Sequence, residues 1–170
     1  MRRFIAIALL VCFVCACQST NCDLSAAKKR MGDKDFQGAL ECYNVLIDSV
    51  LAPASDLLVA LNDRALIQYI LAKEKQDISL AEKAVEDWTR YFELVSVPNT
   101  SNLVRAYFGC GLLGLQRKEE ALVQFDKACA DAPDGQAMCQ WAKAVREGSD
   151  ISNVCKFDDI RKQHDLYGDK

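Results

Sequence analysis

Nine cysteines stand against a single histidine in these 170 residues, so the side chains able to ligate, donate or attack are unevenly supplied. Metal centres and nucleophile–base pairs both draw on convergent histidine, and His164 sits alone in a polar C-terminal stretch, so no metal site and no catalytic group are expected. Cys12-x2-Cys15 has the spacing of a redox or zinc pair but lies within the apolar N-terminal segment. Gly109-Cys110-Gly111-Leu112-Leu113-Gly114 fits the G-x-G-x-x-G pattern letter for letter. That pattern grips a pyrophosphate only where a strand precedes it and a helix starts within it. Here helical spacing already runs from Asn102, so the glycines are helix interior, no cofactor is expected, and the chain is not expected to be an enzyme. Each such glycine costs about 1 kcal/mol against alanine and needs a packing reason; close helix approach supplies one for Gly109. Asp158 and Asp159 are read as a solvated face, and Asn99-Thr100-Ser101 as a helix cap rather than a glycosylation acceptor.

The N-terminus is Met1-Arg2-Arg3 followed by an apolar run from Phe4 to Val14, with no acid before Asp23. A charged flank and an apolar stretch too short to span a bilayer predict an export signal over residues 1–16. Its end, Val14-Cys15-Ala16-Cys17, resembles the bacterial lipobox, which implies lipidation at Cys17; plain secretion after cleavage at the same place is the alternative. Several acyl chains on one residue anchor a protein stably, where one chain does not. Gln18 in place of an aspartate implies, by resemblance to bacterial sorting rules, the outer membrane facing the periplasm. Losing residues 1–16 removes two arginines and no acid, so the net charge of −3 becomes −5. An acidic exported domain lacks the electrostatic footprint of a nucleic-acid binder.

Cys12 and Cys15 leave with the signal. With Cys17 lipidated, six cysteines remain: Cys22, Cys42, Cys110, Cys129, Cys139 and Cys155. An even count in an oxidising compartment predicts up to three disulfides, with fifteen pairings open.

Residues 17–23 read as a spacer, 24–148 as a helical domain and 149–170 as a polar tail. Apolar residues recur at three and four residue intervals throughout, and no stretch alternates as a strand would. Helices are predicted over Leu24–Met31 and Asp35–Leu51, the second with Phe36, Leu40, Tyr43, Leu46, Ile47 and Val50 as its stripe. A third follows Pro53 with Ser55 and Asp56 as caps, and a polar turn over Lys73–Asp77 leads to Ile78–Val95. A pair flanks Glu119, and a last helix covers Gly135–Arg146.

The pair around Glu119 carries Gly109, Ala121, Phe125, Ala128 and Pro133, the small, small, aromatic, small, proline order of a tetratricopeptide repeat. Ala65, Ala84, Trp88 and Tyr91, and then Phe36, Ala39, Tyr43 and Pro53, give two more degenerate matches, the middle one with a longer turn. The chain thus resembles a tetratricopeptide or Sel1-like helical-repeat lipoprotein. The resemblance implies an all-α short solenoid of about three antiparallel hairpins with a C-terminal capping helix. It also implies a concave groove for a protein partner, lined by Val59, Asn62, Leu66, Tyr69, Leu103, Ala106, Cys110 and Leu113. Asn62 and Arg64 match part of that family's carboxylate clamp. Packing of the same face against the tail from Ser149 onward is the alternative. Cys129 and Cys139 straddle the Pro133–Gly135 turn, and similarity to Sel1-like hairpins implies a bridge there, although the spacing is longer than that family's; buried thiols are the alternative. With that bridge set, three pairings of the other four cysteines stay open, and Cys22 with Cys42 and Cys110 with Cys155 is the one guessed.

The expectation is a lipid-anchored adaptor of the cell envelope, in secretion, pilus or envelope assembly. A secreted repeat effector without lipid and a periplasmic small-ligand receptor are the rivals. No feature of the sequence sets an oligomeric state.

Overall fold

A computed structural model of the chain describes residues 22–95, 102–131, 136–149, 151 and 155. Among them are seven α-helices and no strand: α1 (Leu24–Gly32), α2 (Phe36–Asp48), α3 (Ala54–Lys75), α4 (Ile78–Leu94), α5 (Asn102–Gly114), α6 (Lys118–Ala130) and α7 (Gln136–Arg146). The expected signal over residues 1–16, Cys17 and the spacer to residue 21 lie outside the described residues. So do Pro98, the caps at Asn99, Thr100 and Ser101, Pro133, and the tail positions Asp158, Asp159 and His164. The chain divides into two compact units, Met1–Asp56 and Leu57–Lys170.

In the first unit α1 and α2 form a hairpin. The Asp23 carboxylate accepts from the Ala26 N–H at 2.7 Å and the Asp35 carboxylate from the Gly38 N–H at 3.0 Å, so each helix starts on a side-chain cap. Ala27, Ala39, Cys42 and Tyr43 are fully buried. α2 stops at Asp48, short of the expected Leu51. Ser49 leaves the helical region at ψ 120°, and its hydroxyl accepts from the Leu51 N–H at 3.3 Å, a local bond that competes with another helical turn. Val50, expected in the buried stripe, is instead 98% exposed, and Leu51 92%.

The second unit holds the α3–α4 and α5–α6 hairpins, with α7 packed on α6. α3 begins at Ala54, directly after Pro53, so Ser55 and Asp56 occupy its first turn instead of capping it. The Pro53 carbonyl accepts from the Asp56 N–H at 3.0 Å, and the Asp56 carboxylate faces the positive helix end. The connection to α4 is only Gln76 and Asp77, not the longer turn the polar composition predicts.

All three hairpins turn in the same way. Lys34, Gln76 and Gln116 adopt left-handed conformations at φ 62°, 54° and 60°. The next residue in each donates its N–H to a carbonyl five positions back: Asp35 to Arg30 (2.9 Å), Asp77 to Ala72 (3.0 Å) and Arg117 to Leu112 (2.9 Å). This closure satisfies carbonyls left open at the end of the first helix. Seven residues before these turn residues stand Ala27, Tyr69 and Gly109, and nine after them Tyr43, Val85 and Phe125, all buried. Two hairpins thus set a small residue on the first helix and a ring on the second; the middle one inverts the sizes.

Candidate interaction surface

The eight residues read as groove-lining lie on α3 and α5. Leu66, Tyr69, Ala106 and Cys110 are buried, while Val59, Asn62, Leu103 and Leu113 are half-buried. At Tyr69 and Cys110 the cover is the chain itself. Cys110 is bonded to Cys155, with the two Cα atoms 5.6 Å apart, and the Cys155 carbonyl accepts from the Tyr69 hydroxyl at 3.4 Å and from the Lys73 ammonium. Lys73 also sits 5.3 Å from the centre of the Tyr69 ring. The Cys155 N–H donates to the Ile151 carbonyl at 3.1 Å, and Ile151 is itself buried. An uncovered apolar face on two helices would leave a large hydrophobic area in water; the segment after α7 removes part of it. Of the positions read as groove-lining, Tyr69 and Cys110 thus meet the segment around Cys155, and Leu66 and Ala106 are buried as well. Burial pushes the Tyr69 and Tyr107 phenols well above the usual tyrosine range.

Asn62 and Arg64 do not form part of a free carboxylate clamp. Arg64 donates from Nε (2.7 Å) and Nη2 (2.6 Å) to the two oxygens of Asp87 on α4, and both side chains are largely shielded. Asn62 accepts from the Trp88 indole N–H at 3.3 Å and donates to Asp63 at 3.2 Å. A bidentate, charge-assisted pair beside an indole hydrogen bond latches α3 to α4. The clamp-like residues hold their own hairpin.

The glycines of the G-x-G-x-x-G run stand inside α5 and do different work. A Cβ on Gly109 would lie 2.8 Å from the Phe125 ring of α6, and one on Gly111 would lie 2.9 Å from Trp88 of α4; around Gly114 nothing stands within 4 Å. Close approach on two sides accounts for Gly109 and also for Gly111, for which the sequence offered no partner. Arg105 of α5 lies over the Phe92 ring of α4 (4.3 Å) and pairs with Asp131 at the end of α6 (3.7 Å), joining three helices. Phe125 meets Trp141 of α7 edge to face at 6.2 Å, and Arg146 pairs with Asp126 across the same contact.

The remaining cysteines are joined as Cys22–Cys42 and Cys129–Cys139. An open depression of about 430 Å³ runs along α4, lined by Glu82, Val85, Glu86, Thr89, Arg90, Glu93 and Arg117. Sequence reasoning missed it because its lining is an ordinary solvated helix face. Arg117 is engaged there by Glu120 at 2.6 and 2.7 Å, a bond that raises the guanidinium and lowers the carboxyl. The tail latch was also missed in detail; its trace in the sequence is Ile151 and Cys155, four apart in a polar stretch. Among the described residues no group of three His, Cys, Asp or Glu side chains could hold a metal ion, and no helix is long and apolar enough to cross a membrane. No protein-family model, characterised protein or solved structure matches the chain.

Proposed function

We propose that the chain is a lipid-anchored protein of the bacterial cell envelope whose all-α domain binds another protein. The observation that carries this reading is the use of the cysteines. The six after Cys17 are joined to one another in three disulfides, which leaves Cys17, beside Val14-Cys15-Ala16, as the odd cysteine of the exported part. Three bridges in a domain of this size suit an oxidising compartment, and an unpaired cysteine at the end of an export signal suits acylation. The recurring hairpin turn supports the resemblance to helical-repeat adaptors, whose surfaces serve recognition rather than chemistry.

Burial within the chain shifts the partner surface from the whole α3–α5 face to its accessible part, Val59, Leu103 and Leu113. A photo-crosslinking residue placed at Leu113 or Val59 in intact cells tests this. A discrete adduct with one envelope protein, absent when the residue is placed at the exposed Glu74, is expected. Adducts with lipid alone, or the same pattern from all three sites, would contradict a binding role for this surface.

A further inference from the structure

We propose that the Val50–Leu51 turn of the first unit is a membrane contact, resting on a zwitterionic phospholipid surface beside the lipid anchor. This rests on lipidation at Cys17.

Val50 and Leu51 are 98% and 92% exposed, the one adjacent pair of large aliphatic side chains so exposed among the described residues. Single exposed aliphatics are common on protein surfaces, but a neighbouring pair at the tip of an ordered turn has a fixed direction. The turn is held by its own bonds: Ser49 N–H to Leu46 carbonyl (3.3 Å), Ala52 N–H to Ser49 carbonyl (3.4 Å) and Leu51 N–H to the Ser49 hydroxyl. It projects the two side chains rather than tucking them under α2.

The tether places that turn near lipid. Cys22 follows Cys17 by five positions, a reach of at most about 18 Å even fully extended. Cys22 is bonded to Cys42 in the middle of α2, with the Cα atoms 4.7 Å apart. From Cys42 to Asp48 the helix rises by about 9 Å, and Val50 follows two residues later. Because α1 and α2 turn at Lys34, α2 runs on past the chain entry at Cys22, and its exit lies on the side of the hairpin away from that turn. An acyl chain at Cys17 therefore holds this end within headgroup reach, where exposed valine and leucine have an apolar layer to enter.

Charge decides which lipid. The charged residues nearest the turn in the chain, Asp48 and Asp56, are acidic, and no lysine or arginine stands between Lys34 and Arg64. An acidic rim is repelled by anionic headgroups, so the contact is apolar and made with neutral lipid.

The experiment uses the mature full-length chain with its lipid confirmed by intact mass, reconstituted in phosphatidylcholine vesicles containing brominated acyl chains. Leu51→Trp adds a reporter to the baseline of Trp88 and Trp141. The added emission is expected to be blue-shifted and quenched most by bromines near the top of the acyl chains, since interfacial insertion reaches about 5–10 Å. Quenching should persist at high salt and should weaken when anionic lipid is added. Solvent-like, unquenched emission from a chain whose lipid is present would overturn the contact and leave the anchor standing. A blue shift without quenching that grows with protein concentration would assign the turn to a second copy instead. An unmodified Cys17 would remove both the anchor and the contact that depends on it.

Discussion

In the α5–α6 hairpin the helices close on a glycine, with Gly109 flat against the Phe125 ring, whereas in the α3–α4 hairpin Tyr69 and Val85 stand at the equivalent places. A bulky residue on the first helix leaves no such slot, and the α3–α4 contact is fixed instead by Arg64 on Asp87 and Asn62 on the Trp88 indole. The turn is the same in both, down to the left-handed glutamine and the backbone bond five residues back. Turn geometry sets the hairpin, and its closure is then free to use either steric fit or a shielded polar latch. The two should fail differently.

The largest effect is expected at the polar latch. Asp87→Ala removes the carboxylate that pairs with the shielded Arg64 guanidinium, which destabilises by about 3–5 kcal/mol, while replacing both residues by leucine should recover most of that loss. Denaturant midpoints of Asp87→Ala and of the double leucine variant check this; a loss under about 1 kcal/mol in Asp87→Ala would mean the pair is a surface ornament. At the steric closure, Gly109→Ala presses a methyl group into the Phe125 ring and should cost about 1–3 kcal/mol, less whatever alanine returns in helix propensity. Gly114→Ala meets nothing and should stabilise by up to about 1 kcal/mol, so the same substitution takes opposite signs five residues apart. Urea titrations of both variants resolve the signs.

A smaller difference should come with pH. The Tyr69 and Tyr107 phenols are raised in the folded state, so the unfolded chain loses these protons first; their contribution is complete below pH about 10 and is lost as pH rises beyond it. Tyr69→Phe should lessen the alkaline decline in melting temperature without abolishing it, because Tyr107 remains. An unchanged alkaline slope would place Tyr69 in a more solvated setting than its contact with Cys155 gives it.

The same comparison shows what could be read from the sequence. Helix spacing was legible throughout, because a face of Ala, Leu, Tyr and Trp at three and four residue intervals buries itself whatever the turn. Ala121 and Phe125 were legible as a repeat because size and position coincide. The middle hairpin was harder, since Tyr69 and Val85 exchange sizes and the matched Ala84–Trp88 pair falls three residues later from its turn than Ala121–Phe125 does. The turns themselves were hidden: Lys34, Gln76 and Gln116 occupy left-handed positions where glycine is the usual signal. The pairing of Arg64 was not legible, because a guanidinium offers the same fork to a partner's carboxylate as to Asp87, and only the fold brings Asp87 within 2.6 Å. The eight groove positions came from resemblance, and the segment around Cys155 folds back onto two of them, Tyr69 and Cys110.

The most direct test of the account is the intact mass of the mature protein, measured with and without reduction. A chain beginning at Cys17, heavier by its acyl groups, with all six later cysteines bridged until reductant is added, is the expected result. A mature chain with an unmodified Cys17, or one with free thiols among Cys22, Cys42, Cys110, Cys129, Cys139 and Cys155 before reduction, would contradict it.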